Sequence, residues 1–148
     1  MTETTRTADP APTAAAAPGA RPARSVLFSV LVGLCALAVL LQGLWAGIFL
    51  EHDGQRDAAS SWIDLHARGA DVAILLAIAA TVVAVVRLRH RRDLMIGSAA
   101  LTVLLIGESY LGGVIRDQGK DVLTAVHVPL AMALMALAGW LPLRAWRA

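Results

Sequence analysis

The chain reads as an all-α integral membrane protein, a four-helix up-down-up-down bundle. Two observations carry that reading. Apolar residues make up 57% of the chain and charged residues only 16%, against roughly half and a quarter in an average soluble domain. The apolar residues are also gathered into four runs, residues 25–50, 63–86, 94–115 and 122–143. Each is long enough for the roughly 20 residues that a spanning helix needs. Only helices and closed barrels satisfy every backbone group in hydrocarbon, and runs this long and continuous are not barrel strands.

Residues 1–24 are Ala, Thr and Pro with little else. Such a segment buries too little apolar surface to offset its ordering entropy, and a disordered cytoplasmic tail is expected. Arg24 followed by an apolar run superficially resembles a signal peptide. The run far exceeds the roughly 7–15 residues of a signal's apolar region, so it reads as a retained helix. Cys35, the one cysteine of the chain, lies in the middle of this first span. An internal disulfide and Cys-based metal motifs are thereby excluded, and a small buried hydrophobe is expected there. The second span opens on Ser61 and Asp64, spaced as a capping box, and the fourth on Asp121 as an N-cap. Trp45, Trp62, Trp140 and Trp146 fall near the span ends, where aromatic belts form.

The 13 basic residues are not a nucleic-acid footprint, because they cluster at span ends. Arg6, Arg21 and Arg24 precede the first span, Arg87, Arg89, Arg91 and Arg92 join the second to the third, and Arg144 and Arg147 follow the fourth. The other two loops are acid-rich, with Glu51, Asp53, Asp57 and Asp64 in one and Asp117 and Asp121 in the other. The positive-inside rule places both termini in the cytoplasm and the acidic loops outside, as expected of a bacterial inner-membrane protein.

The four spans read as one helical hairpin used twice. The segment from Gln42 (Gln-Gly-Leu-Trp-Ala-Gly-Ile-Phe) and the segment from Glu108 (Glu-Ser-Tyr-Leu-Gly-Gly-Val-Ile) share a pattern. Each has a polar residue, three others, two small residues and two bulky apolar ones. An acidic loop follows each, then a helix carrying His-x-x-x-Ala, from His66 to Ala70 and from His127 to Ala131. The halves are offset by 66 residues at the first motif and 61 at the second. Repeats are common in membrane proteins, often with the site at the repeat interface.

His66 and His127 are the candidate site. With helix starts at Ser61 and Asp121, each lies about 7–9 Å into its helix. Both helices enter from outside, so two imidazoles are expected in one outer layer on different helices. Buried imidazole needs a hydrogen-bond partner or a ligand. The pair could therefore serve as interhelical hydrogen-bond glue or as axial ligands of a haem iron. Zinc is disfavoured, since the usual four-ligand sphere lacks candidates at this depth. His66 shares its face with Gly69, Ala70, Ala73, Ala77 and Ala80, leaving room for a flat macrocycle or for close approach of another helix. On the fourth span Pro129 frees the carbonyl of Ala125, a possible acceptor for a neighbouring donor.

Three further features are intramembrane and polar. Asp64, Arg68 and Asp71 follow i, i+4, i+7 spacing on the side of the second span away from His66. They form either a self-neutralising ladder or, through Arg68, a grip on a haem propionate. Glu108 lies roughly 12 Å below Arg116. An acid there costs about 2.5–3.5 kcal/mol or more unless protonated or paired. Gln42 is its repeat partner, and a clamp between Glu108 and Gln42 or a histidine competes with a proton-carrying role.

Leu65-His66-x-x-Gly69 and Val126-His127-x-x-x-Ala131 together resemble one four-helix half of the haem A synthase family. They also resemble small four-helix bacterial membrane proteins with the same His placement. The resemblance covers roughly residues 40–140 through short motifs, and implies that His66 and His127 are axial ligands facing a porphyrin near the outer surface. That family's acid three residues before its first His is replaced here by Ile63. The outer-loop cysteine pair and second four-helix half are missing too, so oxidation of a haem methyl group is not expected.

The sequence specifies no reaction. Its leading expectation is b-type haem, for electron transfer, haem handling or redox sensing. The alternative is a non-catalytic membrane subunit or assembly protein, with a membrane partner or a second copy of itself. A small transporter using Glu108 for protons ranks third, since four short helices make little pathway alone. In a chain stripped of Cys35, a cysteine at Arg89 should be shielded from an impermeant thiol reagent in intact cells, and one at Gln55 labelled. The opposite sidedness would overturn the orientation.

Overall fold

The computed structural model describes residues 25–52 and 55–147. The tail expected to be disordered, with Arg6, Arg21 and Arg24, and Asp53 of the first acidic loop lie outside the described residues. Four helices are present: α1 Val26–Glu51, α2 Arg56–Arg87, α3 Arg92–Gln118 and α4 Thr124–Trp146, the last entered through a 3-10 turn, Asp121–Leu123. All four are long and apolar enough to cross a membrane, so the chain is a four-helix membrane bundle. The loops between successive helices are short, so neighbours run antiparallel. Helix α1 packs on α2 and α4, and α3 packs on the same two. The helices close a ring, with α2 and α4 across one diagonal.

Each helix turns one stripe inward at alternating spacings of three and four residues. On α1 it is Phe28, Val32, Cys35 and Val39, and on α3 Leu94, Ser98, Leu101 and Leu105. On α2 it is Ala73, Ala77, Ala80 and Ala84, all 0% exposed, and on α4 Leu134, Ala138, Leu141 and Ala145. This is the knobs-into-holes spacing of left-handed bundles. The α2 stripe consists of methyl groups alone, so α1 comes close. The Cys35 thiol reaches the Ala73 carbonyl at 3.5 Å, and a Cβ at Gly69 would overlap the Trp45 ring and the Gln42 amide. Between macrocycle room and close helix approach, the small face of α2 is therefore used for close approach.

Polar side chains inside the bundle are placed economically. Thr81 of α2 and Thr102 of α3 meet at 3.1 Å. Their hydroxyls also reach the carbonyls one turn back, Ala77 at 2.8 Å and Ser98 at 3.0 Å. With one proton each, the pair shares two donors among these acceptors. At the arginine-rich end, Asp93 accepts from Arg91 at 3.1 and 3.0 Å and from Arg144 at 2.7 Å. That carboxylate ties the α2–α3 loop to the end of α4.

Two helix starts differ from the sequence reading. Helix α2 begins at Arg56, capped by the Gln55 backbone without a side-chain bond, so Ser61 is inside the helix and the capping box is absent. The polar stretch before Ile63 is compatible with helix and extends α2 beyond its apolar run. The fourth-span entry is shifted by one, with Lys120 as cap and Asp121 the first residue of the 3-10 turn. Gly119 precedes it in the left-handed region, φ 64°, a conformation that glycine adopts freely.

Gly69→Ala should destabilise the bundle by about 1–3 kcal/mol, the range for forcing an extra methyl into a packed site. The readout is the unfolding midpoint in detergent. An unchanged midpoint would contradict the close approach of Trp45 and Gln42 over Gly69.

Candidate functional site

The inward stripes continue toward the acidic-loop end, and there each turns polar. Counting on in steps of three and four, the α1 stripe arrives at Gln42, the α3 stripe at Glu108, and those of α2 and α4 at His66 and His127. The four polar positions singled out in the sequence therefore share the inner seam of the bundle, one from each helix.

They meet as two pairs, and each pair lies within one hairpin. His66 Nδ1 is 3.1 Å from the main-chain carbonyl of Gln42. The Gln42 side chain straddles the turn below: its amide nitrogen donates to the His66 carbonyl at 2.7 Å and approaches Nδ1 at 3.1 Å, and its oxygen accepts from Ala70 N at 3.2 Å. In the second hairpin, His127 Nδ1 is 2.6 Å from Glu108 Oε2. That approach is close but not aligned as a hydrogen bond, so both Glu108 oxygens and His127 Nδ1 lack an aligned partner among the described residues. The duplicated motif is thus a duplicated contact, amide with imidazole in one hairpin and carboxyl with imidazole in the other.

The polarity of these contacts sets what the rings can do. When Nδ1 of His66 carries the proton it donates to the Gln42 carbonyl, and Nε2 keeps its lone pair. In the other tautomer Nδ1 accepts from the amide and Nε2 carries the proton. The first form is the arrangement found at metal-bound histidines, in which the far nitrogen is held by a carbonyl or carboxylate. Glu108 lies beside Nδ1 of His127 in the corresponding place, without an aligned hydrogen bond. The imidazoles lie within electrostatic reach of one another, on diagonally opposed helices.

The surroundings are tight on one side. Phe49 sets its ring edge-on against His66, centroids 5.5 Å apart and planes at 84°. Trp45 closes over Gly69 beneath, so this tryptophan serves packing between helices as well as an interface. Gly112 of α3 lies beside His127, where a Cβ would stand 3.6 Å from Cε1. The sequence reading missed Phe49 as a neighbour of His66. Its place seven residues beyond Gln42, on the same seam, was the available signal.

Other candidates are placed elsewhere. His127 Nδ1 turns to Glu108 and not to the carbonyl freed by Pro129. Arg68 is exposed on the side of α2 away from His66. The expected ladder is not formed, because among the described residues no ion pair joins Arg68 to Asp64 or Asp71. Asp64 lies instead within electrostatic reach of Arg116 on α3. No cluster of three or more His, Cys, Asp or Glu side chains able to hold a metal ion occurs among the described residues.

Glu108 is only 6% exposed, and its substitutions separate shape from charge. Glu108→Gln should fold like the parent, since an amide fills the same space beside His127. Glu108→Leu should lose about 0.6–2 kcal/mol, the range for interhelical hydrogen bonds in membranes. A Gln variant that fails to fold would show that a carboxylate charge is required there.

Comparison of the chain with protein-family models, with curated proteins and with solved structures yields no match.

Proposed function

We propose that this four-helix membrane protein binds b-type haem, with His66 and His127 as the axial ligands. The observation that carries the proposal is the matched placement of the two rings. Each has Nδ1 against an acceptor on the preceding helix, Gln42 O at 3.1 Å and Glu108 Oε2 at 2.6 Å. With Nδ1 so occupied, the two Nε2 atoms would be the ligating donors, one from α2 and one from α4. The resemblance of the His motifs to one half of the haem A synthase family points the same way. A haem needs two ligands, not three, so the donor set suits a macrocycle better than a bare ion.

Bound haem would supply reversible one-electron chemistry. The residues of the chain would orient the rings through Gln42 and Glu108, and Phe49 would shield His66 from water. With arginines gathered at one end, the protein would lie in the bacterial cytoplasmic membrane with both termini inside and the histidine layer toward the outer face. Its role would be electron transfer, haem handling or redox sensing.

A second reading rests on the α1–α2 contact, where Gln42 and Trp45 fill the space beside His66. In that reading the two pairs are interhelical clamps in a non-catalytic membrane subunit. Colour separates the two. Protein purified in detergent from haem-replete cells should show a Soret band that sharpens and shifts on reduction. His66→Ala or His127→Ala should abolish or greatly weaken it. A colourless protein would favour the clamps, and the same substitutions would then cost only about 0.6–2 kcal/mol of stability.

A further inference from the structure

Helix α2 carries a second stripe, on the face opposite His66, that nothing in the chain covers. It runs Asp64, Arg68, Asp71, Leu75, Ile78, Val82 and Val85, again at alternating spacings of four and three, and every member is exposed. The lower part is apolar, with Leu75 66%, Ile78 41%, Val82 55% and Val85 46% exposed, as lipid contact requires. The upper part is charged, and its innermost member, Asp71, lies too deep for that.

Depth follows from the helix rise. Asp71 is about 24 Å above Arg87 along α2, and Arg68 about 28 Å. The hydrocarbon is about 30 Å thick. Arg68 is long enough to bend its guanidinium to the surface, but Asp71 has one methylene and no such reach. A carboxylate facing acyl chains is strongly disfavoured, and intramembrane charges pair with one another. The intrahelical partner at the right spacing, Arg68, does not take this role in the single chain, since no ion pair joins the two.

We infer that this face of α2 is the contact between two copies of the chain, related by a two-fold axis along the membrane normal. Copies inserted with the same orientation can form a closed pair only about such an axis, which sets α2 parallel to its counterpart with equal heights opposed. Equal heights set Arg68 beside its own counterpart, so the charge order along the stripe, negative, positive, negative, is satisfied by diagonal pairing across layers. Each Arg68 stands between acidic layers about 6 Å above and about 4.5 Å below, and reaches across to Asp71 or Asp64 of the other copy. Below the charges, Leu75, Ile78, Val82 and Val85 continue the alternating spacing that a two-helix seam needs. Asp64 is also within electrostatic reach of Arg116 on α3 of its own chain, so the Arg68–Asp71 pair is the principal exchange. The inward stripe of α2 stays with its own bundle, so pairing needs no rearrangement of the fold.

The test uses the full chain with Cys35 replaced by Ala. Cysteine at Leu75 or Ile78 should form disulfide-linked dimers in membranes under mild oxidation, whereas cysteine at Val103, exposed on α3, should not. Arg68→Asp should reduce the Leu75 cross-link at least several-fold, and adding Asp71→Arg to it should restore the cross-link. Separately, the unsubstituted chain, fluorescently labelled at low density in vesicles, should bleach in two steps. Single-step bleaching, equal cross-linking at Val103, or cross-linking indifferent to both charge changes would each overturn the inference. The bleaching result needs no variant, so a misfolded Arg68→Asp protein does not protect the proposal.

Discussion

The close approach of α1 to α2 sets the positions of nearly everything else. In a bilayer no apolar driving force holds helices together, since lipid tails are as apolar as leucine, and contact depends on how tightly the surfaces fit. The stripe of Ala73, Ala77, Ala80 and Ala84, each 0% exposed, supplies that fit. It brings Cys35 to the Ala73 carbonyl and lowers Trp45 over Gly69. It also brings Gln42 within hydrogen-bond reach of His66. A bulkier stripe would separate the helices and leave His66 without its acceptor. The polar layer is a consequence of the apolar one beneath it.

Much of this was legible in the chain, and the reasons differ by feature. The four spans follow from the lengths of uninterrupted apolar sequence, because hydrocarbon permits few alternatives. The hairpin repeat was visible as two short motifs, and the structure gives it meaning by pairing Gln42 with His66 and Glu108 with His127. The start of α2 was misplaced because capping rules act locally, while residues 56–62 carry enough helix-forming side chains to prolong the helix through the polar region. The ladder of Asp64, Arg68 and Asp71 was predicted from spacing alone. Spacing shows which side chains share a face, not which of them touch, and no ion pair joins the three in the folded chain. Choosing between room for a macrocycle and close helix approach needed the neighbouring helix, and therefore the tertiary structure.

The two hairpins keep the same plan but not the same chemistry. An amide at position 42 presents both a donor and an acceptor, and it satisfies a helical turn as well as a ring. A carboxyl at position 108 has only oxygens to offer and one ring beside it, so it leaves polar atoms without an aligned partner. In this chain one ring sits in a saturated network and the other in an unsaturated one, so the histidines are inequivalent toward any ligand or proton.

Helix α4 is the least enclosed of the four, with 11% of its most apolar window buried against 22–28% for the others. What fixes it are its ends: the Glu108–His127 contact at one and the Asp93–Arg144 pair at the other. A helix with polar contacts at its ends and only the narrow stripe of Leu134, Ala138 and Leu141 buried between them is the natural first unit to open in a local fluctuation. Its backbone amides are therefore the ones expected to exchange soonest among the four helices.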